Sequence, residues 1–167
     1  MQVKPFKAYI YDSDVVGNAN DCIAPPYDVI DPNTQEALYR KNDYNIVRII
    51  KGKTRPTDRE EDNQYTRASD TLNKWISSGA LKQDNSESIY AYVQNFDIAG
   101  VQFERMSFIA LSKLEEFGEI VKPHEQILSK PMQDRLNLKR ATKARFGLVF
   151  MLYTDTENIA EKICKRA

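Results

Sequence analysis

The clearest pattern in the chain is a set of apolar residues spaced three and four positions apart between residues 65 and 76. A helix with 3.6 residues per turn would place them all on one face. The residues in this set are Tyr65, Ala68, Leu72, Trp75 and Ile76. Gly79 follows, and glycine readily takes the left-handed conformation that closes many helices. The pattern predicts an amphipathic helix over residues 65–76 whose apolar face packs into a core.

The next part of the chain has a period of two, in which one set of residues is aromatic-rich and the other is mostly small or aliphatic. The first set is Tyr90, Tyr92, Gln94 and Phe96, and it alternates with Ile89, Ala91, Val93 and Asn95. Residues 88–96 and 101–114 predict two strands, and residues 97–100 between them contain Gly100. Two alternating runs joined by a short glycine-containing segment are typical of a β-hairpin.

Shorter runs predict the remaining elements. Apolar runs indicate strands at 3–11, 22–24, 46–50, 120–121 and 147–153. Helix caps and polar periodicity indicate helices at 34–41, after Asp31, at 131–143, and from residue 157 onward. This mixed order predicts the α+β class, or α/β with a mixed sheet: one small domain with a mixed β-sheet, a β-hairpin and flanking helices.

Length and composition favour an ordinary globular protein. With 167 residues we expect a single domain over 1–167. The last predicted helix has no closing signal, so we expect a fragment of a longer chain. No apolar run approaches the ~20 residues of a membrane span, and no signal peptide opens the chain, which predicts a cytoplasmic protein with no membrane contact. Cys22 and Cys164 lie far apart, and neither has further zinc ligands near it in the sequence. The apolar run around Cys22 predicts that it is a small buried residue.

Lysine plus arginine balance aspartate plus glutamate at 24 each, so the net charge is zero. Zero net charge makes nucleic-acid binding unlikely for the chain as a whole. The balance hides a basic segment, because residues 130–145 carry six cations against the single acid Asp134. The cations are Lys130, Arg135, Lys139, Arg140, Lys143 and Arg145.

Two interpretations of this basic segment stay open. Pro131 suits the first turn of a helix, and the free N–H groups and dipole of a helix start favour phosphate. Lys130 and Arg135 would then offer a point charge and a two-pronged fork, with Arg145 as a further phosphate or cofactor contact. In the other interpretation the cations simply face solvent, and this applies most to Lys139 and Lys143.

His124 and Glu125 directly precede the basic segment. The imidazole of His124 would suit a phosphate oxygen. Glu125 would hold Mg²⁺ bound to a polyphosphate, because magnesium is usually bound by one or two carboxylates plus phosphates. The alternatives are a structural histidine and a glutamate that caps backbone.

A second candidate site begins at Pro25 and Pro26, which stiffen the backbone and present Tyr27 and Asp28. Asp28 would serve as a general base or metal ligand, and Tyr27 would stack on a base or ring. The alternative is a turn with a buried tyrosine.

Five motifs occur in a fixed order along the chain. They are Lys4-Pro-Phe-Lys-Ala8, Ala24-Pro-Pro-Tyr-Asp-Val-Ile30, Asn42-x-Tyr-Asn45, Tyr90-x-Tyr92 and His124-Glu-x-x-x-x-x-Pro-x-x-Asp-Arg135. Together they resemble the N-terminal part of a bacterial and archaeal family catalogued as domain of unknown function 1015. That family looks related to the ParB/sulfiredoxin superfamily, which includes nucleotide-binding ParB domains, ATP-using sulfiredoxin and an ADP-dependent kinase of free serine. The resemblance implies a ParB/sulfiredoxin-like fold that grips nucleotide phosphates at a loop and helix start, here residues 124–135.

These observations lead to three functional hypotheses. The first is a kinase-like enzyme, a nucleotide-dependent phosphotransferase or nucleotidase acting on a small molecule. In it Asp28 and Glu125 would be catalytic, with Glu125 positioning Mg²⁺, while His124, Lys130 and Arg135 hold phosphates. The nucleotide would be ATP, ADP or CTP. The second hypothesis is a non-catalytic nucleotide-sensing or interaction module. The third, a nucleic-acid binder, ranks last because the basic segment is short.

Overall fold

The fold was taken from a computed structural model, which describes residues 2–123 and 129–166. In chain order the elements are β1 (Val3–Lys4), β2 (Tyr9–Tyr11), α1 (Ser13–Val16), α2 (Pro32–Lys41), α3 (Val47–Ile50), α4 (Gln64–Ser77), β3 (Leu81–Gln83), β4 (Tyr90–Ile98), β5 (Val101–Ile109), β6 (Leu111–Ser112), α5 (Ser129–Thr142) and α6 (Ile159–Cys164). Short 3₁₀ turns occupy Ala19–Asp21 and Tyr27–Val29. Helices combined with antiparallel strand pairs confirm the α+β class.

The chain forms two compact units, each assembled from separate stretches of sequence. The core unit consists of residues 9–83 and 125–148. The hairpin unit consists of residues 1–8, 84–124 and 149–167. A single domain over residues 1–167 stays a prediction.

Helix α4 is the centre of the core unit, and its sequence accounts for both of its ends. Asn63 accepts hydrogen bonds from the backbone of the first turn and forms a capping box with Thr66. Gly79 follows the last turn at φ +78°, the left-handed conformation expected of it. The face bearing Ala68, Leu72 and Trp75 is buried, so the prediction from hydrophobic spacing is confirmed.

The core unit packs around this buried face. Helices α3 and α5 both lie against α4, and Leu138 of α5 is buried there. The ring of Trp75 lies 6.1 Å from that of Tyr11 and 5.9 Å from that of Tyr44. Strands β2 and β3 form an antiparallel pair at the edge of this cluster. Cys22 is buried as a free thiol, as its apolar surroundings predict.

The predicted strand at 46–50 is wrong, because this run forms the short helix α3. Its start is fixed by the fully buried Asn45, whose side-chain oxygen accepts the N–H of Val47 at 3.0 Å. The N–H of Ile46 donates to the carbonyl of Cys22 at 2.7 Å. These bonds set a helical turn that overrides the preference of β-branched residues for strands.

Four more strand predictions are corrected, three because the run forms no paired strand and one because the run divides into two strands. Residues 22–24 follow a 3₁₀ turn without forming a strand, and residues 147–153 are irregular. Residues 3–11 divide into β1, which pairs with β6, and β2, which pairs with β3. Val121 makes only an isolated bridge to Phe117. Within the described ranges, the strands form three antiparallel pairs and no mixed sheet.

The hairpin unit is built on β4 and β5, which pair over nine residues each without a bulge. The pair Ile98 and Val101 closes the hairpin, so the connection is only Ala99 and Gly100. Both have positive φ, 52° and 83°, the geometry of a type I′ turn. The prediction of a hairpin here is therefore confirmed, with a shorter connection than the sequence indicated.

Other segments of the hairpin unit brace one end of this hairpin. β1 pairs with β6, and Phe6 bridges to Ser88 just before β4. Helix α6 packs against β5. None of the described residues of the hairpin unit is buried, whereas the core unit contains all the buried residues of the described chain.

Candidate functional site

The core unit contains a cleft of about 920 Å³, within the size range of small-molecule sites. Its walls come from the turn at 27–28, the beginning of α2, residues 49–54 and the first half of α5. The cleft therefore brings together Tyr27 and Asp28 from one candidate motif with Asp134 and Arg135 from the other. These two motifs lie more than a hundred residues apart in the sequence.

Tyr27 and Arg135 contact each other directly in this cleft. The guanidinium carbon of Arg135 lies 3.8 Å from the centre of the Tyr27 ring. This stacking is a cation–π contact, and it holds the planar guanidinium in a defined orientation. Pro25 and Pro26 restrict the backbone just before Tyr27, and this restriction helps to hold the ring in its position against Arg135.

Arg135 is held on its other sides by hydrogen bonds. Its Nε donates to Oδ2 of Asp134 at 2.8 Å, and its Nη2 donates to the same oxygen. Nη2 also donates to the carbonyl of Ile50 at 2.9 Å, which ties α5 to α3. The fork of Arg135 is thus oriented before any ligand arrives.

Asp134 links this group to helix α4. Its Oδ1 accepts a hydrogen bond from the hydroxyl of Tyr65 at 2.8 Å. Burial of the Tyr65 hydroxyl, followed by its bond to the Asp134 carboxylate, raises the pKa of Tyr65. Asp134 had entered the sequence argument as the lone acid among cations and as part of the motif that ends at Arg135, but its bond to Tyr65 was missed.

Residues 51–54 form a second wall, which the sequence analysis did not single out as part of a site. Nε2 of Gln35 donates to the carbonyl of Lys51 at 2.6 Å. At Gly52 a Cβ would lie 3.3 Å from the carbonyl oxygen of Arg48 and 3.4 Å from that of Gln64, so the backbone approaches its neighbours closely. A glycine flanked by Lys51 and Lys53 was the signal in the sequence that could have identified this wall.

Lys53 is fixed in place on this wall. It forms an ion pair with Glu36 and lies 4.6 Å from the centre of the Tyr39 ring. The ion pair with Lys53 lowers the pKa of Glu36. The ammonium therefore sits at the cleft as a positioned charge rather than as a freely moving side chain.

The lining of the cleft carries charges of both signs. The acids are Asp28, Asp31, Glu36 and Asp134, and the cations are Lys51, Lys53 and Arg135. Asp134 and Glu36 are paired with cations of the cleft. Asp31 caps α2 by accepting the N–H of Thr34 at 2.7 Å, and this bond lowers the pKa of its carboxylate. Asp28 is exposed to solvent and lies on the 3₁₀ turn that follows the two prolines.

The later part of the basic segment does not line the cleft. Lys139, Arg140, Lys143 and Arg145 are exposed and lie outside its walls. Nε of Arg145 donates to the carbonyl of Gly147 at 3.1 Å. This placement favours the solvent-facing interpretation for these four cations, and a ligand contact by Arg145 stays a prediction.

The remaining predicted site residues lie wholly or partly outside the described part of the chain. His124 and Glu125 lie outside the described residues. Lys130 lies in the first turn of α5, and its side chain is likewise outside what is described. Across residues 2–123 and 129–166, no cluster of three or more His, Cys, Asp or Glu side chains is arranged to hold a metal ion.

Each described helix is too short or too polar to cross a membrane.

Comparison with known proteins gives a family and nothing finer. The model of a family described as protein of unknown function (DUF1015) matches residues 3–167. Neither a characterised protein nor a solved structure matched the chain. A relationship to the ParB/sulfiredoxin superfamily stays a prediction.

Proposed function

The chain belongs to this DUF1015 family, and from that premise we propose that its cleft binds a nucleotide or another phosphorylated small molecule. The observation that carries the proposal is the meeting of Tyr27 and Asp28 with Arg135 in one cleft. An oriented arginine, a second cation and a half-buried aromatic ring are groups that suit a phosphorylated ligand with a ring.

Phosphate binding is supported by three features of the cleft. The stacked guanidinium of Arg135 has already lost the freedom that binding would otherwise cost. Lys53 adds a second cation at the cleft, although its ammonium is paired with Glu36. Helices α2, α4 and α5 contribute first-turn residues to the lining, and the positive ends of helix dipoles favour anions.

We propose further that the bound nucleotide takes part in phosphoryl transfer to a small molecule. Phosphoryl transfer depends mostly on positioning and charge neutralisation, which the fixed cations would supply. Asp28 is an exposed carboxylate at the cleft and would accept the proton of the acceptor hydroxyl. His124 and Lys130 would add phosphate contacts, and Glu125 would help to hold Mg²⁺ with the phosphates.

A second candidate function is non-catalytic nucleotide sensing, and the bonds of Arg135 favour it. Nη2 of Arg135 donates to the carbonyl of Ile50 and to Asp134. A phosphate that recruited this nitrogen would compete with both contacts and so change the contact between α3 and α5. Ligand binding would then change the packing of α3 against α5 without any reaction of the nucleotide.

Binding is tested by thermal shift with ATP, ADP, CTP and GTP, each with and without Mg²⁺. A ligand at about a hundred times its Kd adds roughly 2.7 kcal/mol to stability, which is a measurable rise in Tm. Arg135→Lys keeps the charge but loses the fork and the stacking, so it should weaken the shift strongly. Arg140→Lys is the matched control, because Arg140 lies on the same helix outside the cleft.

If no nucleotide and no inorganic pyrophosphate stabilises the wild type, the proposed function is wrong. If a nucleotide binds, release or transfer of phosphate separates an enzyme from a sensor. Asp28→Asn should then abolish turnover while leaving the thermal shift nearly unchanged. Turnover that survives Asp28→Asn would remove Asp28 as the base.

A further inference from the structure

Strand β4 of the hairpin unit has one edge that pairs with nothing in the part of the chain that the structure describes. Because Ile98 and Val101 close a two-residue turn, the even-numbered residues of β4 exchange backbone hydrogen bonds with β5. The N–H and C=O groups of residues 91, 93, 95 and 97 therefore point away from β5. All four of these residues are exposed.

This edge lacks the features by which proteins usually prevent strands from pairing with another chain. β4 has no proline and no lysine, and its register runs through nine pairs without a bulge. Tyr92 and Val93 are each 46% exposed and Ile98 is 57% exposed. A two-stranded hairpin has little stability of its own in water, and this one is braced at only one end, so an exposed edge with apolar neighbours favours further pairing.

We propose that β4 pairs antiparallel with β4 of a second copy of this chain, forming a four-stranded sheet across a two-fold axis at Gln94. In the register that pairs all nine residues, the outward groups of Val93 meet those of Asn95 in the other copy. Ala91 then meets Asp97 in the same way. Tyr92 lies opposite Phe96 of the other copy, an aromatic pair on one face of the sheet.

The distribution of charged residues favours pairing through β4 rather than β5, and it favours a second copy of the chain as the partner. β4 carries one charged residue, Asp97, and the full register places it opposite Ala91 of the second copy. β5 carries Glu104 and Arg105 at its middle, and pairing it with itself in full register would set Arg105 against Arg105. Helix α6 also packs against β5, and the thiol of Cys164 donates to the carbonyl of Ser107 at 3.6 Å. A nearly neutral strand that is complementary to itself fits a second copy better than a charged partner.

The first test uses Gln94, which would face its own counterpart at the two-fold axis. Oε1 of Gln94 accepts hydrogen bonds from Nε and Nη2 of Arg105 at 3.0 and 2.7 Å. Gln94→Glu keeps an acceptor for Arg105 within one copy, but it sets two like charges face to face in the dimer. Dimerisation measured by analytical ultracentrifugation should weaken by roughly tenfold or more. Ser86→Glu adds the same charge at an exposed position before the strand and should leave dimerisation unchanged.

The second test reads the register itself, in a Cys164→Ser background. Gln94→Cys would place two thiols opposite each other in a non-hydrogen-bonded pair, where Cα atoms lie about 4.5 Å apart, close enough for a disulfide. Asn95→Cys would place its two thiols out of register. With oxidised glutathione, Gln94→Cys should give a covalent dimer and Asn95→Cys should not.

A chain that stays monomeric across the micromolar range overturns the proposal, even if another protein covers the edge. So does a dimer unaffected by Gln94→Glu, or one in which Asn95→Cys cross-links as fast as Gln94→Cys. If the circular dichroism spectrum of Gln94→Glu differs from that of the wild type, the variant is misfolded. The comparison of cross-linking between Gln94→Cys and Asn95→Cys then decides whether the proposal holds. Neither test depends on nucleotide binding.

Discussion

Among the described buried residues, Asn45 makes the most side-chain hydrogen bonds, and these bonds hold together segments that lead into the candidate site. Its amide nitrogen donates to the carbonyls of Asp21 and Ile23 at 2.7 and 2.9 Å. Its side-chain oxygen accepts the N–H of Val47. One side chain thus joins the segment that leads to Tyr27 with the helix that leads to residues 51–54.

We expect Asn45→Ala to lower the free energy of unfolding by about 3 kcal/mol, because it leaves three backbone groups without partners in a buried place. Denaturant unfolding followed by the fluorescence of Trp75, the only tryptophan, measures this loss. Asn33→Ala removes a solvent-exposed asparagine and should have little effect. A loss as small as that of Asn33→Ala would mean that these hydrogen bonds are not important to stability.

At the residue scale, the sequence singled out side chains that the structure brings together, but it did not predict what they contact. Tyr27, Asp28 and Arg135 were chosen by residue type and local geometry, and they do line one cleft. The stacking of Arg135 on Tyr27 joins residues far apart in sequence, which no local pattern encodes. Asp134 was missed for the same reason, because its importance lies in its bond to Tyr65 of another helix.

Elements with strong signals at both ends were predicted well, and short apolar runs were not. Helix α4 has a cap, a periodic face and a closing glycine, and α2 begins at the predicted cap Asp31. The run 46–50 is too short to show a helical period and has no recognisable cap. A run of four or five apolar residues fits a buried strand or a buried helical turn equally well. Tertiary hydrogen bonds through Asn45 decided the outcome.

The cap of α2 gives a prediction for the dependence of stability on pH. The bond from the N–H of Thr34 lowers the pKa of Asp31 in the folded chain. Its stabilisation is therefore complete above the unfolded pKa, about 3.9, and is lost as pH falls through the lower folded value.

We expect Asp31→Ala to have a lower Tm than the wild type at neutral pH. The two values should begin to converge below about pH 4 and should meet only below the lowered pKa of Asp31 in the folded chain. Asp31→Asn keeps an uncharged cap, so its advantage over Asp31→Ala should not change with pH. Thermal unfolding at a series of pH values measures both differences. A gap between wild type and Asp31→Ala that persists in acid would show that the charge is not what stabilises the cap.

The turn between β4 and β5 is the other element with a clear test. Ala99 has φ +52°, where an L-residue other than glycine or asparagine is strained. Ala99→Asn creates the Asn-Gly pair that type I′ turns prefer, and it should stabilise the hairpin by about 1 kcal/mol. Hydrogen exchange of the β4 and β5 amides should slow by about fivefold. Gly100→Ala, at φ +83°, should speed the same exchange, and an opposite order would contradict the assigned turn.

At the scale of the whole molecule, the apolar core lies in one unit and the longest strands in the other. Trp75, Val47, Ile49 and Leu138 are buried in the core unit, whereas the described residues of the hairpin unit contribute no buried side chain. Composition alone could not predict this division, because the apolar residues are spread along the entire sequence.

We expect hydrogen exchange to be slowest in α4 and faster in β4 and β5, because local stability follows burial. The Gln94→Glu variant is the suitable sample, since it removes protection that a second copy would give. Peptide-resolved mass spectrometry measures both units in one experiment. Equal protection of α4 and β4 in that variant would contradict a weakly stable hairpin unit.

The order of segments in the core unit has a consequence for how the protein is made. During synthesis the ribosome delivers residues 9–83 first, with Tyr27, Asp28, Lys53 and Tyr65 already present. Arg135 follows only after the whole hairpin has emerged, and until then Tyr27 has no guanidinium beside it and Tyr65 no carboxylate. The lining of the cleft is therefore completed only after the hairpin and α5 have been translated, although most of it comes from the earlier stretch 9–83.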